Sequence, residues 1–213
     1  MMPRTTILVP RGPEAAAVRR AGISARIVEL PAGAAAARAL PAFAEDETVI
    51  AVGLCGALGR LKAGDVAIYR RVADTTHAME IDPHLVDALA AALPNARVVT
   101  ACTTNRVLTT VEARTVLARR FEADVVDMES THLAAALAAG RARFAMVRVV
   151  SDDASRDLPR IGDAIDAEGR IRPMRIAFAF ARAPGAAFRF VRDVRHALAE
   201  LTATVRSLTN LRV

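Results

Sequence analysis

The chain of 213 residues has no tryptophan, one tyrosine, two cysteines and a single lysine, Lys62. Each shortage excludes something. Cys55 and Cys102 supply neither a disulfide framework nor the spacing of a metal site. The histidines, His77, His84, His132 and His196, contain no H-x-x-x-H pair, so no structural zinc is expected. Aromatic residues make up only 4%, and no RNA- or DNA-binding motif is present, so nucleic acid is not an expected partner. The longest charge-free apolar run, Thr48 to Gly59, falls well short of the ~20 residues that a spanning helix needs. At the N-terminus only Ile7–Val9 is apolar before Pro10, too little for a signal-peptide core. A cytoplasmic protein is the expectation.

Hydrophobic residues reach 53%, enough for a packed core. The net charge of +6 is almost entirely arginine. An arginine-rich composition explains that most simply; an anionic partner such as phosphate or a lipid surface is the alternative. No linker and no repeat interrupts the chain, so residues 1–213 read as one domain.

Short β-branched runs recur at Thr6–Val9, Arg26–Leu30, Thr48–Gly53, Val66–Tyr69, Arg97–Ala101, Val125–Met128 and Phe144–Val150. Such runs suit buried strands. Between them lie alanine- and leucine-rich stretches with helical spacing: Glu14–Ala21, Ala34–Phe43, Pro83–Leu93, Val111–Arg120 and Ser130–Gly140. The alternation predicts an α/β three-layer sandwich with a mixed, largely parallel central sheet. Pro173 to Val213 adds a helical C-terminal elaboration. A right-handed crossover through 130–140 predicts that the strands 125–128 and 144–150 lie side by side, or nearly so, and run the same way. Glu129 and Asp152 would then leave the same sheet edge, where open α/β sheets bind ligands.

Three stretches carry chemistry only in combination. In "VIAVGLCGALGRLKAGDV" (49–66) a strand is expected to end at Gly53, with Gly56 and Gly59 following in a tight turn. The spacing is not that of a phosphate loop. "DMES" (127–130) alone is an ordinary acidic helix start. "RVVSDD" (148–153) alone is an ordinary polar strand exit.

Taken in order, Val49–Val66, Val126–Ser130 and Val147–Asp152 resemble the motifs of the nucleoside phosphorylase and nucleosidase superfamily. The branch is that of methylthioadenosine/S-adenosylhomocysteine nucleosidases and purine nucleoside phosphorylases. The resemblance covers roughly residues 5 to 155 and implies an enzyme that cleaves an N-glycosidic bond without cofactor or metal, as a homo-oligomer. It implies Asp152 as the acid that protonates the leaving purine, since a departing purine is otherwise an anion. With Asp153 beside it, like charge is expected to raise the pKa of one of the two carboxyls. Glu129 would bind the ribose hydroxyls, Met128 would pack under the sugar, Ser151 would orient the acid and Gly53 would approach the substrate. Glu14, soon after the first strand, would assist the attacking water. Val107 and Leu108, in "CTTNRVLTT", would lie near the base.

The chain departs from the family at Leu54, where a serine or threonine usually holds phosphate or water, and at Ala51 and Val52, where phosphorylases have an arginine. Arg11 could supply positive charge from the first loop. Hydrolysis is therefore expected over phosphorolysis. The alternatives are a phosphate-dependent purine or uridine nucleoside phosphorylase, with inorganic phosphate as co-substrate, and a non-catalytic nucleoside-binding protein. The short length, "GLCGAL" (53–58) and the basic C-terminus are similar to the hopanoid-associated phosphorylases, which implies a 5′-substituted and lipid-linked adenosine such as adenosylhopane. Segment 172–192 mixes Phe178, Phe180, Phe188 and Phe190 with Arg175, Arg182, Arg189 and Arg192. A peripheral contact with the inner face of a membrane is the reading set against a core or subunit contact.

Overall fold

The computed structural model describes residues 4–44, 47–159, 161 and 173–208. Among these residues eight strands and seven helices follow the expected alternation: β1 (Arg4–Pro10), α1 (Pro13–Arg20), β2 (Arg26–Leu30), α2 (Ala35–Arg38), β3 (Glu47–Ala57), β4 (Val66–Ala73), β5 (Ala78–Glu80), α3 (Pro83–Ala92), β6 (Arg97–Thr103), α4 (Val111–Phe121), β7 (Val125–Asp127), α5 (Ser130–Ala139), β8 (Arg143–Asp152), α6 (Pro173–Arg182) and α7 (Pro184–Ser207). Local chemistry sets the boundaries. The Asp82 carboxylate accepts from His84 N at 2.9 Å and Pro83 opens α3. Thr110 caps α4 by accepting from Ala113 N at 3.2 Å. α2 is a single turn rather than the expected ten residues, because Gly33 and Pro41 bracket the stretch.

The sheet is mixed and mostly parallel. β2–β1, β1–β3, β3–β8, β4–β6 and β6–β7 pair parallel; β3–β7, β4–β5 and β4–β8 pair antiparallel. The pairings β3–β7–β6–β4–β8–β3 close a ring. Every residue of β8 from Phe144 to Val150 is buried, as expected of a strand covered on both faces. α7 packs on β3, β8 and α1, while α5 packs on β4, β6, β8 and α2.

Two expectations need correction. β3 does not end at Gly53 but runs on to Ala57, with a register shift at Cys55/Gly56. β7 and β8 lie close together, one strand apart, but do not run the same way. β7 is antiparallel to β3, β8 is parallel to it, and the end of β3 separates them. Gly56 alone pairs with Val126 on one side and Asp152 on the other. A Cβ on Gly56 would lie 3.1 Å from Asp152 Oδ2 and 3.4 Å from Val126 Cγ1, so glycine permits this approach. Ring closure, rather than a shared edge, brings the two acidic strand exits together.

In the apolar stripe of the last helix, Leu201, Val205 and Leu208 are fully buried, whereas Val191 is exposed. The Thr202 hydroxyl adds a hydrogen bond to Ala17 O at 3.0 Å, tying α7 to α1. Leu201→Ala is expected to lower unfolding stability by ~2–5 kcal/mol, measured by urea denaturation.

Candidate active site

A cavity of about 340 Å³ opens among the ends of β1, β3, β7 and β8, a size suited to a small organic ligand. Its walls include Glu14, Leu54, Gly56, Val107, Leu108, Arg114, Val126, Asp127, Met128, Glu129, Ser151 and Asp152, with Phe190 and Val194 from α7. Seven of the eight residues singled out from sequence, all but Gly53, therefore converge on one space. Gly53 lies behind the wall. A Cβ there would stand 2.3 Å from Arg148 Nη1 and 2.7 Å from Glu14 Oε1, so its lack of a side chain makes room for that pair.

One side of the site is a buried charge cluster. Arg148 is 1% exposed and sits in the middle of β8. It lies 3.8 Å from Asp127 and 3.7 Å from Glu129. Burial alone would weaken its proton affinity, but Asp127, Glu129, Tyr69 and Glu14 more than offset that and keep it charged. Among the described residues its Nε and Nη1 have no hydrogen-bond partner. Asp127 organises the corner. Its Oδ1 accepts from Thr103 Oγ1 and Ser130 N, each at 3.1 Å, and its Oδ2 accepts from Tyr69 Oη at 3.1 Å and from the Ser130 hydroxyl. In doing so it satisfies the N-terminus of α5, which the neighbouring Glu129 does not.

Glu129 is thus left to face the cavity. Gly33 N donates to its Oε1 at 2.9 Å, and burial raises its pKa against the pull of Arg148. Glu14, in the first turn of α1, accepts from Leu54 N at 2.7 Å. Burial, then repulsion from Glu129, pushes it up from 4.5 to about 7, with Arg148 opposing.

The other side is built on Asp152. Its Oδ2 accepts from Arg114 Nη2 at 2.5 Å, and its Oδ1 lies 2.6 Å from the Ser151 hydroxyl, which also reaches Cys55 O at 3.1 Å. Asp153 does not join Asp152 in the cavity wall. Asp153 turns away to Ser155 and Arg156; although burial works against it, their hydrogen bonds hold it down at about 2. Leu108 is buried beside Val126, Cys102 and Leu58, and Val107 is half-buried in the cavity wall.

Sequence reasoning missed Arg114, Arg148, Tyr69 and Asp127 as parts of the site. Arg148 lies inside the matched Val147–Asp152 segment, so its position was available. Arg114 looks like any other residue of an arginine-rich amphipathic helix.

The raised pKa of Glu14 has a stability consequence. An unfolded glutamate ionises near 4.5 and the folded one near 7, so the native state binds the extra proton between those values. Stability contributed by Glu14 therefore falls as pH rises through that window. Glu14→Gln is expected to be more stable than the parent at pH 8, by about 1–3 kcal/mol, and indistinguishable from it at pH 4. Urea midpoints at the two pH values check this.

The family model described as "Phosphorylase superfamily" matches residues 18–182. No curated protein matches the chain significantly. Among solved structures, an S-adenosylhomocysteine nucleosidase from Streptococcus pyogenes in complex with 5-methylthiotubericidin superposes with a TM-score of 0.71 at 15% identity, covering 100% of this chain and 99% of that one. The 5′-methylthioadenosine nucleosidase of Arabidopsis thaliana gives 0.66 at 16% identity, covering 100% and 98%. The futalosine hydrolase of Helicobacter pylori gives 0.68 at 12% identity, covering 97% of each chain. These likenesses establish a common fold. The family match spans most of the chain, and the protein belongs to the phosphorylase superfamily.

Proposed function

We propose that the protein cleaves the N-glycosidic bond of a purine nucleoside substituted at its 5′ carbon, releasing the free base by hydrolysis. The observation that carries this reading is that two of the four carboxyls in the cavity wall, Glu14 and Asp152, lie in different surroundings. Glu14 belongs to the Arg148–Glu129 cluster and titrates near 7, whereas Asp152 is held by Arg114 and Ser151. Two carboxyls with separate partners suit separate roles in glycoside cleavage. As C1′–N9 breaks, its electron pair passes to the purine and Asp152 delivers its proton to N7. Water adds to C1′ and yields a proton to ionised Glu14. Glu129 accepts from the ribose hydroxyls and stabilises the cationic sugar. Met128 lies under the ring, and Val107 and Leu108 flank the base. The nucleosidases and the hydrolase that share the fold are named for reactions of this kind.

Hydrolysis is favoured over phosphorolysis because Arg148 is already outnumbered by Glu14, Glu129 and Asp127. A phosphate dianion there would meet net negative charge. Leu54 offers its main-chain N to Glu14 and no hydroxyl. Arg11 and Arg106 line the cavity only as exposed side chains.

The test is base release from methylthioadenosine, inosine and a 5′-alkyladenosine, with and without phosphate. Adenine release independent of phosphate is expected, and Asp152→Asn should lower turnover ~100-fold or more. A strict phosphate requirement would instead establish the phosphorylase alternative; binding without base release would establish a nucleoside-binding protein.

The α6–α7 hairpin supports a second reading, peripheral attachment to an anionic membrane. Among the described residues no helix is long and apolar enough to cross one. Met174, Phe178 and Phe188 are 82%, 63% and 73% exposed, and Arg182 lies 5.0 Å over the Phe178 ring. Residues 173–192 carry four arginines and no acid; Arg172 lies outside the described residues. An isologous contact with a second copy would set these arginines against each other, whereas anionic headgroups would not. Phe190, which meets Phe180 edge-on at 6.3 Å, lines the cavity from the same hairpin, so a lipid-linked adenosine such as adenosylhopane would enter there. Flotation with phosphatidylglycerol-containing liposomes should show binding at low salt that Phe178→Ser with Phe188→Ser abolishes. No binding, or binding indifferent to the substitutions, would overturn membrane attachment. A concentration-dependent dimer lost in that variant would assign the face to a second copy.

A further inference from the structure

Arg114 is the second deeply buried arginine, 2% exposed, one turn into α4. All five of its N–H donors are engaged. Nε and Nη2 donate to Leu108 O at 3.2 and 3.0 Å, and Nη1 donates to Asp153 O at 2.9 Å and to Ala57 O at 3.4 Å. The remaining Nη2 donor goes to Asp152 Oδ2 at 2.5 Å. The guanidinium therefore pins three chain segments at once: the loop that carries Leu108 into the cavity, the last residue of β3, and the exit of β8. Only its contact with Asp152 is made to a side chain.

That contact distinguishes the two oxygens of Asp152. An arginine keeps its protons, so Oδ2, facing Nη2, cannot also point a proton in that direction. Oδ1 faces Ser151, whose single hydroxyl proton has two acceptors within reach, Oδ1 at 2.6 Å and Cys55 O at 3.1 Å. With the hydroxyl turned to Cys55 O, the serine oxygen accepts from a protonated Oδ1. With the hydroxyl turned back, it donates to the carboxylate left after transfer.

We propose that Arg114 is the positioning residue of the acid: it commits Oδ2, so that Oδ1 carries and delivers the proton, and it makes that geometry depend on the placement of Leu108. The inference rests on the reading of Asp152 as the acid. In the step, the proton leaves Oδ1 for purine N7 while the C1′–N9 electron pair passes to the purine. Arg114 loses nothing and touches no substrate. A lysine would bring three donors on one flexible point and could not span Leu108 O, Asp153 O and Oδ2 as a planar fork does.

A double-mutant cycle tests this. Turnover and KM for adenine release from methylthioadenosine are measured for the parent, Arg114→Met, Asp152→Asn and the double variant, with urea midpoints for each. A misplaced catalytic group costs on the order of 100-fold. Arg114→Met is expected to lower turnover by about that factor while changing KM less than about fivefold. In the Asp152→Asn background the same substitution should cost less than about threefold, because there is no proton left to position. Multiplying losses would overturn the proposal and leave Arg114 a purely structural crosslink. If Arg114→Met does not fold, Arg114→Lys takes its place in the cycle. Lysine is expected to restore the urea midpoint but not turnover, and recovery of both would also overturn the proposal. Near-normal turnover in Asp152→Asn alone would instead defeat the assignment of the acid.

Discussion

The structure depends on one buried cation. Arg148 sits in the middle of β8, within a buried stretch, Phe144–Val150, that is otherwise apolar. Removing a guanidinium from water costs several kcal/mol, and only paired carboxylates offset that. Asp127 and Glu129 come from the end of β7 and the start of α5, and Glu14 comes from α1. The ion pairs thus bind the two halves of the closed strand ring to the first helix. They also dictate glycine at 53, because any side chain there would occupy the position of Nη1.

The two buried arginines solve different problems. Arg114 is saturated, with every donor on a protein acceptor, and such a group rigidifies its surroundings. Arg148 is not saturated, since Nε and Nη1 have no hydrogen-bond acceptor among the described residues although the group is buried and charged. Unsatisfied buried donors are costly and rarely retained without a use. On the proposed reading, the saturated arginine fixes an acid, and the unsaturated one stands beside Glu14 where an oxygen nucleophile has to be held.

The α/β alternation was legible because its strands are short, β-branched and buried, and its helices carry regular apolar spacing. The sense of β7 was not. A strand of three residues has no pattern that records direction, and its partner is the far end of β3, beyond a register shift. Site residues at motif positions were legible for a simple reason: Glu129, Ser151 and Asp152 are polar where the chain leaves an apolar strand. Arg114 was not, because its partners, three main-chain oxygens and the Asp152 carboxylate, lie 6 to 57 residues away, and nothing in local spacing encodes those. Nor did adjacency in sequence place Asp153 with Asp152 in the cavity wall. Adjacent residues at a strand exit point to opposite sides, and Asp153 had its own donors in Ser155 and Arg156.

Glu14 shows how far the fold overrides local chemistry. A glutamate in the first turn of a helix, accepting from a main-chain N–H and near an arginine, has every local reason to be strongly acidic. A first-turn dipole contributes ~0.3–1 kcal/mol. The rise from 4.5 to about 7 runs the other way and is larger, at about 3 kcal/mol. Burial and the facing Glu129 therefore win. A chain selected only for stability would place a neutral side chain there, since the ionised carboxylate weakens the fold at neutral pH. A group that exchanges its proton near neutrality, inside a cavity and at the expense of stability, has the property a general base requires. The same crowding of Glu14, Glu129 and Asp127 around one arginine that unsettles the glutamate also opposes an incoming phosphate. On the proposed reading, the tuning of the base and the preference for water would have a common electrostatic origin.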